Sequence, residues 1–392
     1  MLWSHERKKF KPLNQRGLKS LIEIKIELKN KSKMKPKMAA KLNLTKDEIK
    51  LINNIKDITR KYNLNNVTRT QAYFNFYLEH PEIHWALLGH MVSRNGGWNM
   101  TDLKGDLLSR LLSEKEQRHF FLFLERGNWL IFQDVFPQFL LYDQSVKRNK
   151  NLFYLLPYLN VSTFMETMWN HFWHYNDSTL LAIATIINEQ SYLEKGIIQN
   201  QDFKRTVINT ISFKLYDFLR LNHIIFPFNT DEQNEKPKLI GDTLQHFTSL
   251  HERIMLGKRL YSLLFHRQNI LQGVLLWTGK HQHTGSRSDY WNDLFHHVNE
   301  SLPGSVYRRR IENCQLKKGA VRIYSPPLQF AWENIDHPKA EKGDWFDDWR
   351  IIDYLIEDEQ YEGRDIHDEY CKTLKKIELT ITTKKAIFLR QE

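Results

Sequence analysis

Cysteine is scarce in this chain, with only Cys314 and Cys371 in 392 residues. They stand far apart, with no CxxC and no histidine at zinc-finger spacing. Neither a disulfide framework nor a zinc finger is expected, and two passive thiols in a reducing cytoplasm is the reading. Long apolar runs are missing as well: the longest, Thr179 to Ile187, is about half the roughly 20 residues that a bilayer-crossing helix needs. The opening MLWSHERKKF has no apolar leader core ahead of its charges, so secretion is not expected. There is no GxSxG, no GxxxxGK[ST] and no GxGxxG, which removes the nucleophile elbow, the P-loop and the dinucleotide fingerprint. No fixed repeat period points to a solenoid.

Apolar and aromatic residues are plentiful, at 41% and 13%, enough for a sizeable core. Helix signals recur. Thr45 to Glu48 and Ser113 to Glu116 are capping boxes, and apolar residues follow at steps of three and four. Further helices are expected over Ser162 to Tyr175, Ser178 to Gln199, Asp202 to Leu221, Asp242 to Trp277 and Tyr290 to Asn299. Strand-like alternation is confined to Leu21 to Leu28 and to Glu378 to Phe388. The expectation is an all-α, multi-helix globular domain of about ten helices over residues 43–350. A subdomain seam is placed at the polar, Pro-containing stretch 228–240. Phe330, Trp332, Trp345, Phe346 and Trp349 read as anchors for an extended segment.

Charge is distributed unevenly. Residues 1–41 hold 13 lysines and arginines against Glu6, Glu23 and Glu27, nearly the whole net +11. This basic arm, placed at residues 1–42, is expected to be flexible, and nucleic acid or an anionic membrane could be its partner. Met34 or Met38 are alternative starts that would remove most of it. Residues 340–370 hold 12 acids against Lys342, Arg350 and Arg364, so 351–392 reads as an acidic helical extension and tail.

Asn65 to Leu112 is the richest stretch. It reads as three helical pieces: Gln71 to Leu78; a second that restarts at His80-Pro81 and stops at Gly96-Gly97; and a third capped by Asn99 or Thr101. Polar residues fall on its apolar faces. His90 and Arg94 follow Ile83 and Leu87 at helical spacing, and Asp102, across the Gly-Gly corner, is the nearest acid for Arg94. Arg69, His80, His84, His90, Arg94, Asn95, Asn99 and Asp102 are therefore the candidate ligand-binding residues. Two arginines around one acid suit a small anionic or phosphorylated ligand in a non-enzymatic or regulatory role. The alternatives are a hydrolase with His90 or His84 as base and Arg94 stabilising negative charge, and a purely structural corner. No cofactor is implied.

Metal ligation finds little support. His171 and His174 share a helix face, with Glu189 and Glu166 as acids that could join them, but the aromatic neighbours Trp169, Phe172, Trp173 and Tyr175 favour core packing. In His80-Pro-Glu-Ile-His84 the glutamate is misplaced for a zincin, and the single Glu-x-x-His, Glu116 to His119, is one short of a di-iron site.

The run NVTRTQAYFNFYLEHPEIHWALLGHMVSRNGGWNMTDLKG, with the later YSPPLQFAWENIDH and GDWFDDW, closely resembles the signature of the YppC-like family of uncharacterised bacterial proteins. The resemblance covers Asn65 to Trp349. It implies a helical cytosolic protein and transfers no catalytic residue.

Overall fold

A computed structural model describes residues 15–33, 44–218, 222–231, 236–302, 306–340, 343–357 and 364–388. The first described element, α1 (Gln15–Lys33), is a helix inside the stretch expected to be a flexible arm. LIEIKIEL alternates like a strand, but Leu21, Ile24 and Leu28 are buried while Ile22 and Ile26 are exposed, a spacing of three and four. Lys31 Nζ reaches Thr167 Oγ1 at 3.0 Å and Glu27 at 2.8 Å, and Lys25 and Lys29 lie over the Trp349 ring. Residues 1–14 and 34–43 of the expected arm lie outside the described residues.

The capping box at Thr45 starts α2 (Lys46–Tyr62), and a second at Asn65 starts α3 (Asn66–Glu79). The next helix, α4 (His84–Asp102), runs straight through Gly96-Gly97, where a stop was expected. The glycines serve close approach instead. A Cβ on Gly97 would lie 2.4 Å from Asn66 Oδ1 and 2.5 Å from His283 Nε2, so the absent side chain is what lets α3 and a remote loop reach α4. The Ser113 capping box opens α5 (Glu114–Lys147), 34 residues long, which continues past Gly127 and Pro137. An interior proline costs roughly 3 kcal/mol. Burial of Phe120, Phe123, Phe132, Phe136 and Phe139 against α2, α3, α4 and the later helices outweighs it.

Ser162 and Asp177 cap α6 (Thr163–Tyr175) and α7 (Ser178–Leu193). From there the expected long helices break up: a π-helical segment at Glu194–Ile198, the single turn α8 (Gln201–Phe203), a second π-segment at Lys204–Ile208, and α9 (Ile211–Phe218). The stretch expected as a seam connects two strands, β1 (His223–Phe228) and β2 (Lys238–Thr243), paired antiparallel from His223↔Thr243 to Phe228↔Lys238. Gly241 sits against Ile224, whose carbonyl oxygen would lie 2.0 Å from an added Cβ. The expected helix over Asp242 to Trp277 is therefore two, α10 (Leu250–Phe265) and α11 (Gln268–Lys280).

In place of a helix at Tyr290 to Asn299 there is a 3-10 turn at Arg287–Asp289 and a short strand, β3 (Phe295–His296). The hairpin β4 (Ile311–Glu312) and β5 (Gln315–Leu316) turns on Asn313 and Cys314, both with positive φ. β6 (Ile323–Tyr324) pairs parallel with β3. After α12 (Leu328–Ala331) the aromatic anchors Trp332, Trp345, Phe346 and Trp349 pack on the core as expected, whereas Phe330 is 76% exposed. Trp332 stacks on Phe121 at 4.2 Å, and Trp345 donates to Asn188. Beyond α13 (Asp353–Ile356), β7 (Arg364–Asp365) adds to β2, giving the order β1-β2-β7.

The C-terminal α14 (His367–Phe388) is helical where Glu378 to Phe388 alternates like a strand, and Tyr370, Leu374, Ile377 and Ile381 form its buried stripe. The fold is mainly helical, as expected, with three small sheets beside it. The two cysteines are not independent thiols: Cys314 and Cys371 form a disulfide, with Cα atoms 5.6 Å apart.

Candidate functional site

The residues expected to form one polar site go to several. Arg69 is fully buried and pairs with Glu125 at 2.6 Å, with Asn63 taking a second N–H. His90 donates from Nδ1 to the Thr70 carbonyl at 2.8 Å and accepts from Arg94 Nε at 3.1 Å. Burial and the Arg94 charge push its pKa well down, so the ring is the neutral Nδ1–H tautomer. Arg94 lies over Trp277, 4.6 Å from the ring centroid, and donates to the His281 carbonyl. Desolvation lowers its pKa to about 10, which leaves it charged at neutral pH.

Arg94 does not pair with Asp102, contrary to expectation. With no corner at Gly96-Gly97, eight residues of straight helix separate the two by about 12 Å of rise. Asp102 pairs instead with Arg287, at 2.8 Å, and Arg287 also donates to Asn99 and to the Tyr290 hydroxyl. Asn95 clamps an edge strand. Its Oδ1 accepts from Ile225 N and its Nδ2 donates to Ile225 O, at 2.8 and 2.9 Å, so one amide stands in for a neighbouring strand on β1. His80 sits between Glu82 and Asp143. His84 bonds the Tyr261 hydroxyl and stacks on Phe265 at 4.2 Å, and burial lowers its pKa. His171 stacks on Tyr175 and His174 bonds its own helix's Asn170 carbonyl, while Glu189 lines a cavity.

That cavity, of about 220 Å³, is bounded by α3, α4, α5, α7, the first π-segment, β1 and α10. Its walls are largely apolar, with Tyr73, Trp85, Phe123, Leu193 and Leu256 among them. Two features open it. The π-segment widens the helix by one residue per turn and brings Ile197 and Ile198 to the wall, and Gly127 faces it with only Leu193 Cδ2, at 3.9 Å, near an added Cβ. Glu189 keeps some accessible surface although protein surrounds it, because that surface faces the cavity.

Desolvation lifts the Glu189 carboxyl to about 8, aided by nearby Asp134 and opposed by Gln190 and Trp85. Asp134, also desolvated, rises to about 7. Arg69 lines the same cavity and its Nε has no hydrogen-bond partner among the described residues. Arg253 is held by Glu194 at 2.6 Å, with Gln190 and the Phe247 carbonyl.

A family model described as "Protein of unknown function (DUF2515)" matches residues 61–370. The chain belongs to this family. The "Uncharacterized protein YppC" of Bacillus subtilis (strain 168) is 44% identical over 240 residues, 61% of this chain and 73% of the relative. No solved structure matches the chain.

All the polar residues of the cavity lie inside the DUF2515 match. Across α5 from it is an open cleft of about 630 Å³, lined by Arg126, Lys195 and His337. Two of its cations are engaged: Arg126 with the Pro338 carbonyl, Lys195 with the Trp345 carbonyl and Asp347. The cavity is smaller, and Arg69 Nε and Trp85 Nε1 on its wall have no hydrogen-bond partner among the described residues. In this DUF2515 chain the sequence did carry a signal for it, since Glu189 and Glu125 are lone acids in the apolar runs LLAIATIINEQ and FFLFLERGNWLIF. Arg287, His283 and Asp289 were not singled out, because their partners, Asp102, Asn66 and Trp98, are remote in sequence.

Proposed function

We propose that this protein is a binding module for a compact, mainly apolar small molecule carrying an acceptor oxygen, held in the cavity between α3, α4, α5, α7 and α10. Glu189 carries the reading: a carboxyl lifted to about 8 is mostly protonated at neutral pH and donates a hydrogen bond into an apolar space. The free Arg69 Nε–H is a second donor. Two fixed donors match a carbonyl or hydroxyl oxygen. A void of about 150 Å³ takes a benzene-sized ring, so about 220 Å³ leaves room for a ring and a short polar substituent.

The anionic or phosphorylated ligand expected from Arg69 and Arg94 gains less support, because Glu125 neutralises Arg69 and Arg94 is held at Nε and Nη2 by His90 and His281 and lies over Trp277, with Nη1 alone lacking a partner among the described residues. The hydrolase alternative is weakened by His90, whose two ring nitrogens are both occupied. For the arm, Lys25, Lys29 and Lys31 pack against the protein's own groups, while Lys19 and Lys33 are exposed. Of location we propose the cytoplasm, as the sequence favours; among the described residues no helix is long and apolar enough to cross a membrane.

Native mass spectrometry of the untagged full chain tests the binding reading. A small neutral adduct retained at pH 7 and absent from Gly127→Leu, whose added side chain would fill the cavity, is the expected result. An adduct unaffected by that substitution would place the ligand elsewhere.

A further inference from the structure

Cys314 and Cys371 meet at a spot that holds two further metal-ligating side chains. His367 opens α14 and Cys371 follows one turn later, so the two share a helix face. Cys314 is carried over them by the β4–β5 turn, where it and Asn313 have φ of 61° and 47°. The ligand atoms of Cys314, His367 and Asp368 all lie within 4.8 Å of one another, and Cys371 is bonded to Cys314. Trp291 packs on the His367 ring at 4.9 Å. His367 and Asp368 are solvent-accessible, with 40% and 86% of their side-chain surface exposed, which gives an ion an entry path.

We propose that reduction of the Cys314–Cys371 disulfide converts this spot into a zinc site formed by Cys314, Cys371, His367 and Asp368. Two sulfurs, one imidazole nitrogen and one carboxylate oxygen make a tetrahedral donor set that zinc favours, at roughly 2.3 Å for sulfur and 2.0–2.2 Å for nitrogen and oxygen. A dithiol supplies the two electrons and two protons: the S–S bond breaks, two thiols form, and the dithiol becomes a disulfide. Zinc binding then releases both thiol protons, and the two thiolates and the carboxylate leave the site with one net negative charge. Lys317, Lys375 and Lys376 line a shallow cleft beside the hairpin, together with Glu312 and Glu378. The hairpin thus stays fastened to α14 in either redox state, by a disulfide when oxidised and by metal when reduced. The reducing compartment proposed above favours the metal form.

Titration of the full chain with zinc against a competing chelator, and with cobalt as a spectroscopic substitute, tests the site. After anaerobic reduction with a phosphine and removal of metal, one zinc per chain and a thiolate-to-cobalt charge-transfer band are expected, with neither in the oxidised protein. His367→Ala, which leaves the disulfide and hence the oxidised fold intact, removes a direct ligand and should weaken zinc binding by at least about a hundredfold, the upper end of what losing a ligand's supporting partner costs, and Cys314→Ser should abolish the band. The other candidate cluster, Glu79, His80 and Asp143, contains no sulfur, so zinc uptake without the band would assign the metal there and overturn the proposal. So would a reduced protein that binds zinc no more tightly than His367→Ala.

Discussion

Replacing Glu189 by glutamine isolates the effect of placing an acid in the cavity. The two side chains are nearly isosteric, so the contacts are preserved while the ability to ionise is removed. In the unfolded chain the carboxyl titrates near its ordinary 4.5; in the folded protein it rises to about 8. Between those values the folded state holds a proton that the unfolded state has lost, so its contribution to stability is fully present below 4.5 and falls as pH rises toward 8. One pH unit is worth about 1.4 kcal/mol. From pH 5 to pH 7 the wild type should lose about 2.5 kcal/mol relative to Glu189→Gln. Urea unfolding of both proteins at the two pH values measures this, and Asp134, raised to about 7, contributes its own slope to both and largely cancels. A stability difference that stays constant from pH 5 to pH 7 would mean that Glu189 is ionised and solvated when folded, and would refute the dry, neutral-acid cavity.

Gly97→Ala should destabilise by about 1–3 kcal/mol from overpacking against Asn66 and His283, whereas Gly279→Ala, with nothing within 4 Å, should be neutral or gain up to about 1 kcal/mol; equal effects in thermal unfolding would deny the close-approach role. In a double-mutant cycle Asp102 and Arg287 should be strongly coupled, with loss of Asp102 costing on the order of 3 kcal/mol by stranding a buried guanidinium. Asp102 and Arg94 should add within about 0.5 kcal/mol. Leu28→Ala should cost about 2–5 kcal/mol in urea unfolding if α1 is an integral helix, and no change would return it to a loose arm.

Sequence patterns were most informative where the physics is local. The capping boxes at Thr45 and Ser113 are both formed, because a cap depends on residues three apart. The aromatic anchors Trp332 and Trp345 are seated as expected. Gly96-Gly97 misled, since glycine ends a helix or admits a neighbour with equal ease and only the neighbour decides. Misplacing that corner also misplaced the partner of Arg94. β1 and β2 were hidden because HIIFPF is short, apolar and proline-containing, and its unpaired edge is closed by Asn95 from another element. The cysteine pair was invisible for the same reason: a separation of 57 residues does not specify that a hairpin will carry one thiol onto a helix bearing the other. Of the eight candidate residues, only Arg69 lines the cavity; Glu189, named at first for metal, is the more telling member.

The binding reading is tested most directly by calorimetric titration of acetophenone, an aromatic ring with one carbonyl oxygen, into the full chain at pH 6. Saturable one-to-one binding, abolished in Gly127→Leu and weakened on the order of tenfold in Glu189→Leu through loss of the donated hydrogen bond, is the expected result. No heat with the wild type, or the same affinity in Gly127→Leu, would contradict it.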